Sequence, residues 1–342
     1  MSVSVHLVGS VGLDTVPDVF ASSGQILGKF IQRIPDGEPG GRRCWISWQY
    51  PLLRASPYLQ VAEDKAGRAS AGFAKLRLLD GVKASELRFG ELGYAREART
   101  SYQDFLRARK AGTIPASARF QVCLPTPFAV VAAFSAPDAI ADIEPAYESA
   151  MLRELDNIFT EIPHRDLCLQ WDVCVEMVMW DGQIKYHGEL EQSEDAILDR
   201  LSRICRIVPA DVELGFHLCY GDWEAKHFVE PRDGERMVSL ANAIARVVTR
   251  PVAYVHMPVP ISRDDDAFFT PFKKLALPQQ TQLYLGLVHG QDGIPGTLRR
   301  ANTASKFVSG FGVAAECGLG RCKTPDEVMS LLKIHAGVAA QL

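Results

Sequence analysis

The chain of 342 residues carries a formal net charge of −4 and has a pI near 6.1, which argues against a nucleic-acid-binding protein that uses a basic face. Apolar residues make up 47% of the sequence and charged residues 23%, as in a globular protein with ample material for a core. The N-terminus lacks the features of a secretory signal and no segment reads as a membrane span, so we expect a cytoplasmic protein that acts on small molecules.

Apolar runs and amphipathic stretches alternate along the first half of the chain. Their periodicity predicts strands at 3–8, 118–124 and 167–171 and helices at 14–31, 94–110 and 137–160. Residues 34–41 are so rich in Gly and Pro that we expect an irregular loop there. Two β-like runs at 59–62 and 73–78 indicate a β-hairpin insertion near residues 58–89.

The same alternation continues in the second half, with strands predicted at 211–216, 252–255, 282–287 and 308–315 and helices at 193–207, 233–248 and 327–336. The recurring order of strand, loop and helix is typical of parallel βα units. The length suits one domain over residues 1–342, an α/β protein with a (β/α)8 TIM barrel. A doubly wound open sheet is the alternative, which periodicity does not exclude.

Metal-binding side chains recur at the ends of the predicted strands, where barrels of this kind place their active sites. His217 and Cys219 are two residues apart in an extended segment, so both point to one side. Cys317 ends another strand and is followed by a glycine that lets the backbone turn closely. Two thiols and an imidazole suit zinc with an open position, although each is by itself as readily a buried core residue. Without a signal sequence, the eight cysteines are expected as reduced thiols or metal ligands rather than disulfides.

Several other side chains allow both a functional and a structural interpretation. Ser10 follows the first strand and can donate to a ligand. Glu38 could meet a substrate ammonium, but composition alone favours a solvated turn with a local ion pair. His289 could be a general acid or base, or a hydrogen-bonded loop histidine. Tryptophans near predicted loops could line an aromatic pocket, although such residues are more often packing: Trp45, Trp48, Trp171 and Trp223.

Six short motifs resemble, in order and over nearly the whole chain, those of the cobalamin-independent methionine synthase superfamily, particularly its short single-barrel members. They are Val8-Gly9-Ser10, Pro35-Asp36-Gly37-Glu38, Leu124-Pro125-Thr126-Pro127, Gln170-Trp171-Asp172, His217-Leu218-Cys219-Tyr220 and Glu316-Cys317-Gly318-Leu319. The most specific part is the His-x-Cys motif followed at a distance by Cys-Gly-Leu. The resemblance implies a TIM barrel that holds zinc, binds a thiol at the metal and alkylates it.

The resemblance also implies roles for individual residues. His217, Cys219 and Cys317 become zinc ligands. Ser10, Glu38 and Asp172 become the groups that hold the polar part of the thiol substrate.

One position departs from the family pattern. In methionine synthases a glutamate on the strand after the His-x-Cys strand also binds zinc. Here the segment Tyr254-Val255-His256-Met257 takes that place, so His256 is expected as the substitute ligand. The basic residues that would bind the tail of a polyglutamyl folate are also missing, which leaves the alkyl donor open.

The sequence therefore leads to a hypothesis of zinc-dependent transfer of a methyl or other alkyl group to a small thiol. In it His289 and Asp172 are the catalytic groups and Trp171 lies beside the substrate. One alternative is a lyase or hydrolase for a small substrate that uses His289 and Asp172 as acid and base. Another is a barrel that binds a thiol without turnover.

Overall fold

A computed structural model describes residues 3–62, 72–183, 193–221, 226–320 and 324–342. Its strands are β1 (Val5–His6), β2 (Arg33–Pro35), β3 (Leu59–Val61), β4 (Leu76–Leu78), β5 (Arg119–Pro125), β6 (Leu167–Val173), β7 (Glu213–Leu218), β8 (Tyr254–Pro258), β9 (Gln282–Val288) and β10 (Phe311–Ala315). Eight of these strands form one sheet in the order β1-β10-β9-β8-β7-β6-β5-β2, and every pairing in it is parallel. A bridge between Val5 and Ile31 joins the two outer strands. The sheet is thus a nearly closed TIM barrel, as predicted, and not an open doubly wound sheet.

The helices lie around this barrel. They are α1 (Val16–Leu27), α2 (Tyr50–Arg54), α3 (Tyr94–Lys110), α4 (Pro127–Phe134), α5 (Ile140–Glu161), α6 (Val175–Asp181), α7 (Glu194–Cys205), α8 (Glu235–Val247), α9 (Asp266–Phe269), α10 (Gly293–Ala304) and α11 (Pro325–Ala339). Neighbouring helices pack on one another, with α1 against both α3 and α11, and α10 against α11. Among the described residues, no helix is both long enough and apolar enough to cross a membrane.

The predicted hairpin insertion is present. Strands β3 and β4 pair in an antiparallel ladder in which Leu59 is opposite Leu78 and Val61 is opposite Leu76. Leu76 is fully buried and also bridges to Ser135, which attaches the hairpin to the barrel wall after α4. The hairpin is therefore a packed addition to the barrel.

The prediction of an irregular loop at 34–41 is wrong for its first two residues, because Ile34 and Pro35 belong to β2. This strand pairs residue for residue with β5, from Arg33 opposite Arg119 to Pro35 opposite Gln121. A strand of three residues that contains proline gives no alternating pattern, so the sequence signal was too short to recognise.

The interior of the barrel contains polar side chains in successive layers. At the amino-terminal end of the strands, Arg33 is held by Glu213 and Gln282 at 2.5 and 2.9 Å. Above it, Gln170 accepts a hydrogen bond from the hydroxyl of Tyr254 at 2.8 Å and contacts His6 at 3.0 Å. These buried groups satisfy one another, so the barrel wall below the carboxyl ends of the strands is held by hydrogen bonds as well as by packing.

Candidate metal centre

The carboxyl ends of β7 and β10 bring together one imidazole and two thiols. His217 lies inside β7, Cys219 is the first residue after this strand, and Cys317 lies two residues beyond β10. The ligand atoms of these three residues all lie within 4.8 Å of one another, and they are the only group of potential metal ligands found among the described residues. The structure thus unites the His-x-Cys motif with a cysteine that is 98 residues away in sequence.

The separations within this group suit a tetrahedral metal ion. The two sulfurs of Cys219 and Cys317 are 3.9 Å apart, and Cys317 Sγ is 3.7 Å from His217 Nε2. Tetrahedral zinc with ordinary bond lengths would separate two sulfurs by about 3.8 Å and a sulfur from a nitrogen by about 3.6 Å. The donor set and these two separations therefore fit zinc.

Local structure explains why the His-x-Cys motif points inward. The backbone N–H of Cys219 donates to Val173 O at 3.0 Å, which extends the β6–β7 ladder beyond Leu218. The N–H of Gly221 in turn donates to Cys219 Sγ at 3.3 Å. A donor at this position stabilises negative charge on the sulfur, as a metal-binding thiolate requires.

His256 does not join the ligand group, contrary to expectation. It lies within β8, opposite His217 in the β7–β8 register. Its Nδ1 is 2.7 Å from His217 Nδ1, and its Nε2 is 3.0 Å from Ala315 O. Burial lowers the pKa of His256 to about 3. Both ring nitrogens of His256 thus contact protein atoms, one on His217 and the other on Ala315.

A small pocket opens beside the three ligand residues. Its enclosed part has a volume of about 30 Å³. Ser10, Glu38 and Asp172 all line it, from the ends of β1, β2 and β6. The structure therefore brings these three polar side chains and the ligand group to a single pocket.

Two polar residues of this pocket, Asp172 and Glu38, make defined hydrogen bonds. Asp172 accepts a hydrogen bond from Gln170 Nε2 at 2.8 Å. Glu38 has a positive φ of 51°, and its N–H donates to Asp36 Oδ1 at 3.0 Å in a local turn. Asp36 also pairs with Arg42 at 2.7 Å, so the local ion pair expected here forms through Asp36, and Glu38 lines the pocket.

Trp171 lies elsewhere. It is fully buried within β6 and does not line the pocket, because side chains alternate along a strand and its neighbours Gln170 and Asp172 point inward. Trp45 does line the pocket, Trp48 packs edge-on against Tyr94, and Trp223 is outside the described residues.

His289 faces a second cavity of about 350 Å³, which shares Cys317 and Gly318 with the small pocket. Its Nε2 donates to Val259 O at 2.8 Å, and its Nδ1 is 3.9 Å from Glu316 Oε1. Burial, assisted by the charge of Arg300, lowers the pKa of His289 to about 4. The imidazole is therefore neutral near pH 7, with its proton on Nε2 and its lone pair on Nδ1. His289 and Asp172 line separate cavities.

Sequence reasoning did not select two further residues of the small pocket, Cys174 and Phe228. Cys174 is two residues beyond Asp172, so the alternation of side chains could have indicated it. Phe228 is 37% exposed and lies between β7 and α8. No motif or periodic pattern in the sequence indicates a pocket residue at this position.

Fold and site together define a TIM barrel with a His/Cys/Cys group at the carboxyl ends of its strands. No family model matches this sequence, and a search of curated protein sequences gave no match. The barrel is similar to the solved structure of a protein from Listeria monocytogenes proposed to be a vitamin-B12-independent methionine synthase. The TM-score is 0.61 and the identity 12%, over 100% of this chain and 99% of that one.

Two other solved structures are similar. A B12-independent methionine synthase from Shewanella sp. W3-18-1, solved with selenomethionine, aligns with a TM-score of 0.60 and 11% identity over 98% of both chains. A methyltransferase from Methanosarcina mazei aligns with a TM-score of 0.50 and 11% identity, over 98% of this chain and 94% of that one. The structural neighbours are thus methionine synthase-like proteins and a methyltransferase, as the sequence motifs indicated, and they share the fold of this chain.

Proposed function

We propose that this protein is a zinc-dependent transferase that moves a methyl or other alkyl group to a small thiol. The convergence of His217, Cys219 and Cys317 within 4.8 Å is the observation that carries the proposal. Three protein ligands with an open position are the arrangement of catalytic rather than structural zinc. The methionine synthases among the structural neighbours add support from the fold.

The small pocket would hold the thiol acceptor. A bound zinc ion supplies Lewis acidity that lowers the pKa of a coordinated thiol. Glu38 and Asp172 offer carboxylates for an ammonium group, and Ser10 offers a hydroxyl, all beside the ligand group.

The larger cavity would admit the alkyl donor. It meets the small pocket at Cys317 and Gly318, so a donor there would lie next to a thiol held by the ligand group. His289, which is neutral and lines this cavity, is the residue best suited to accept or return a proton there.

The lyase or hydrolase alternative is less well supported, because it requires His289 and Asp172 to act on one substrate from two different cavities. The non-catalytic alternative differs only in its outcome, which is thiol binding without an alkylated product. Assays with and without a thiol therefore separate the three functions.

The test begins with metal content and product analysis. We expect one zinc per chain in the purified protein. Incubation with homocysteine, the thiol that methylation converts to methionine, and with donors of the methylfolate and methylsulfonium classes should give a methylated thiol by mass spectrometry. Cys219→Ser should lose both zinc and product. Cys44→Ser, at an exposed thiol, is the control and should retain both. Zinc-free protein combined with full activity of Cys219→Ser would overturn the proposal.

A further inference from the structure

The two buried histidines His217 and His256 form a directed pair. Their Nδ1 atoms are 2.7 Å apart, a distance at which one nitrogen must donate a proton and the other accept it. Strand register imposes this contact, because the two residues are opposite one another in the β7–β8 ladder. The pair therefore depends on the barrel itself and not on a loop.

The direction of the hydrogen bond follows from the second nitrogen of His256. Its Nε2 is 3.0 Å from Ala315 O, and a carbonyl oxygen can only accept, so the proton of a neutral His256 ring is on Nε2. His256 Nδ1 then accepts from His217, which puts the His217 proton on Nδ1. The lone pair of His217 is consequently on Nε2, the atom that is 3.7 Å from Cys317 Sγ.

We infer that His256 is a positioning residue that holds His217 in the tautomer and orientation needed for metal binding, and is not itself a ligand. This inference rests on the proposed function, since it concerns the same metal. It makes the centre a three-ligand site. The three ligand residues line the same pocket as Ser10, Glu38 and Asp172, so a thiol bound in this pocket could join them without displacing a protein ligand.

The hydrogen bonds from Ala315 through His256 to His217 also couple the two strands that supply the ligand group. Ala315 is the last residue of β10, two residues before Cys317, and its carbonyl is the acceptor for His256. One imidazole thus connects the strand that supplies Cys317 to the strand that supplies His217. Removal of His256 would loosen both strand ends at once.

Substitution by glutamine provides a sharp test. In His256→Gln the amide oxygen can accept from His217 Nδ1 and the amide nitrogen can donate to Ala315 O, but an amide is a poor zinc ligand. His256→Leu can do neither. Zinc affinity would be measured by competition with a chromophoric chelator, and the coordination sphere by the absorption bands of the cobalt-substituted protein. His335→Gln, at another fully buried histidine, is the matched control.

We expect His256→Gln to bind zinc within about threefold of the unchanged protein and to keep its cobalt spectrum, while His256→Leu weakens binding by about 10–100-fold. Loss of binding and an altered cobalt spectrum in His256→Gln would overturn the inference, because they would identify the ring as a ligand. Unchanged affinity in a folded His256→Leu would also overturn it. Absence of metal binding by the unchanged protein would be a separate result, which removes the proposed function as well.

Discussion

Ser10 and Gly318, which follow the neighbouring strands β1 and β10, lie in direct contact at the mouth of the barrel. A Cβ atom placed on Gly318 would be 2.2 Å from Ser10 Oγ, well inside any real contact. The backbone makes the same connection, since the N–H of Leu319 donates to Ser10 O. The glycine after Cys317 was expected to allow a close turn, and the structure identifies the group that approaches it as the side chain of Ser10.

We therefore expect Gly318→Ala to disturb the ligand Cys317 and the pocket residue Ser10 together. Zinc affinity should fall by about tenfold or more, and overpacking should lower the free energy of unfolding by roughly 1–3 kcal/mol. Chelator competition and thermal melting measure the two effects. Gly90→Ala is the control, because nothing lies within 4 Å of a Cβ there. Equal zinc affinities in the two variants would show that the contact has no bearing on the metal.

Asp172→Asn tests whether the carboxylate at the pocket recognises the thiol acceptor. The amide keeps the shape of the side chain but loses its charge, so we expect the KM for homocysteine to rise by about 10–100-fold, the effect of losing a charged hydrogen bond. Zinc content should not change. Asp264→Asn, at an exposed aspartate that pairs with Arg299, provides the comparison. An unaltered KM would remove Asp172 from the substrate site.

Gly290→Leu tests the larger cavity. Gly290 lines it, and a Cβ there would meet only Leu331, at an ordinary 3.6 Å. A leucine should therefore fill part of the cavity without distorting the backbone. We expect kcat/KM for the alkyl donor to fall by about tenfold or more, while zinc content and homocysteine binding persist. Gly90→Leu is the paired control. Normal kinetics in a folded Gly290→Leu would mean that the donor uses another route.

Glu176 makes stability depend on pH. It is fully buried at the start of α6, and burial raises its pKa from 4.5 to about 7. Between these values the folded state keeps a proton that the unfolded state has lost, so stability falls as pH rises from about 4.5 to about 7 and then levels off.

The side chain of Glu176→Gln stays neutral at every pH, so this variant should not lose stability as the pH rises from about 4.5 to about 7. Chemical denaturation at pH 8 should find the variant more stable by roughly 2–3 kcal/mol, with a much smaller difference near pH 5. Glu235→Gln, at an exposed position in the first turn of α8, should leave the pH profile as it was. The explanation fails if Glu176→Gln loses stability with pH as steeply as the unchanged protein.

The sequence predicted long, periodic elements well. The helix expected at 94–110 is α3, and most of the helix expected at 137–160 is α5. Helix α4 had no such signal, because seven of its eight residues are buried and an element that is apolar all round shows no amphipathic period. Periodicity therefore identifies helices that have one solvent-exposed face and misses helices that are buried on all sides.

Where spacing and motif agreed, the structure brings the predicted residues together, as for His217, Cys219 and Cys317, and their role as metal ligands stays a prediction. His256 lies outside this group of three, and its strand is longer than predicted, since β8 continues to Pro258 instead of ending at residue 255. Trp171 was misjudged, since the alternation along β6 already directed it away from Asp172.

The junction between β1 and β2 has a further consequence. Within the barrel wall, the described residues connect these strands through the bridge from Val5 to Ile31. Beyond the strand ends, at the mouth of the barrel, the N–H of Val11 donates to Gly37 O. Ser10 and Glu38 stand on opposite sides of this sparsely bonded join. An acceptor bound by both would tie the first strand to the second, so the melting temperature should climb with thiol concentration, and amide exchange of β1 should slow more than that of β7.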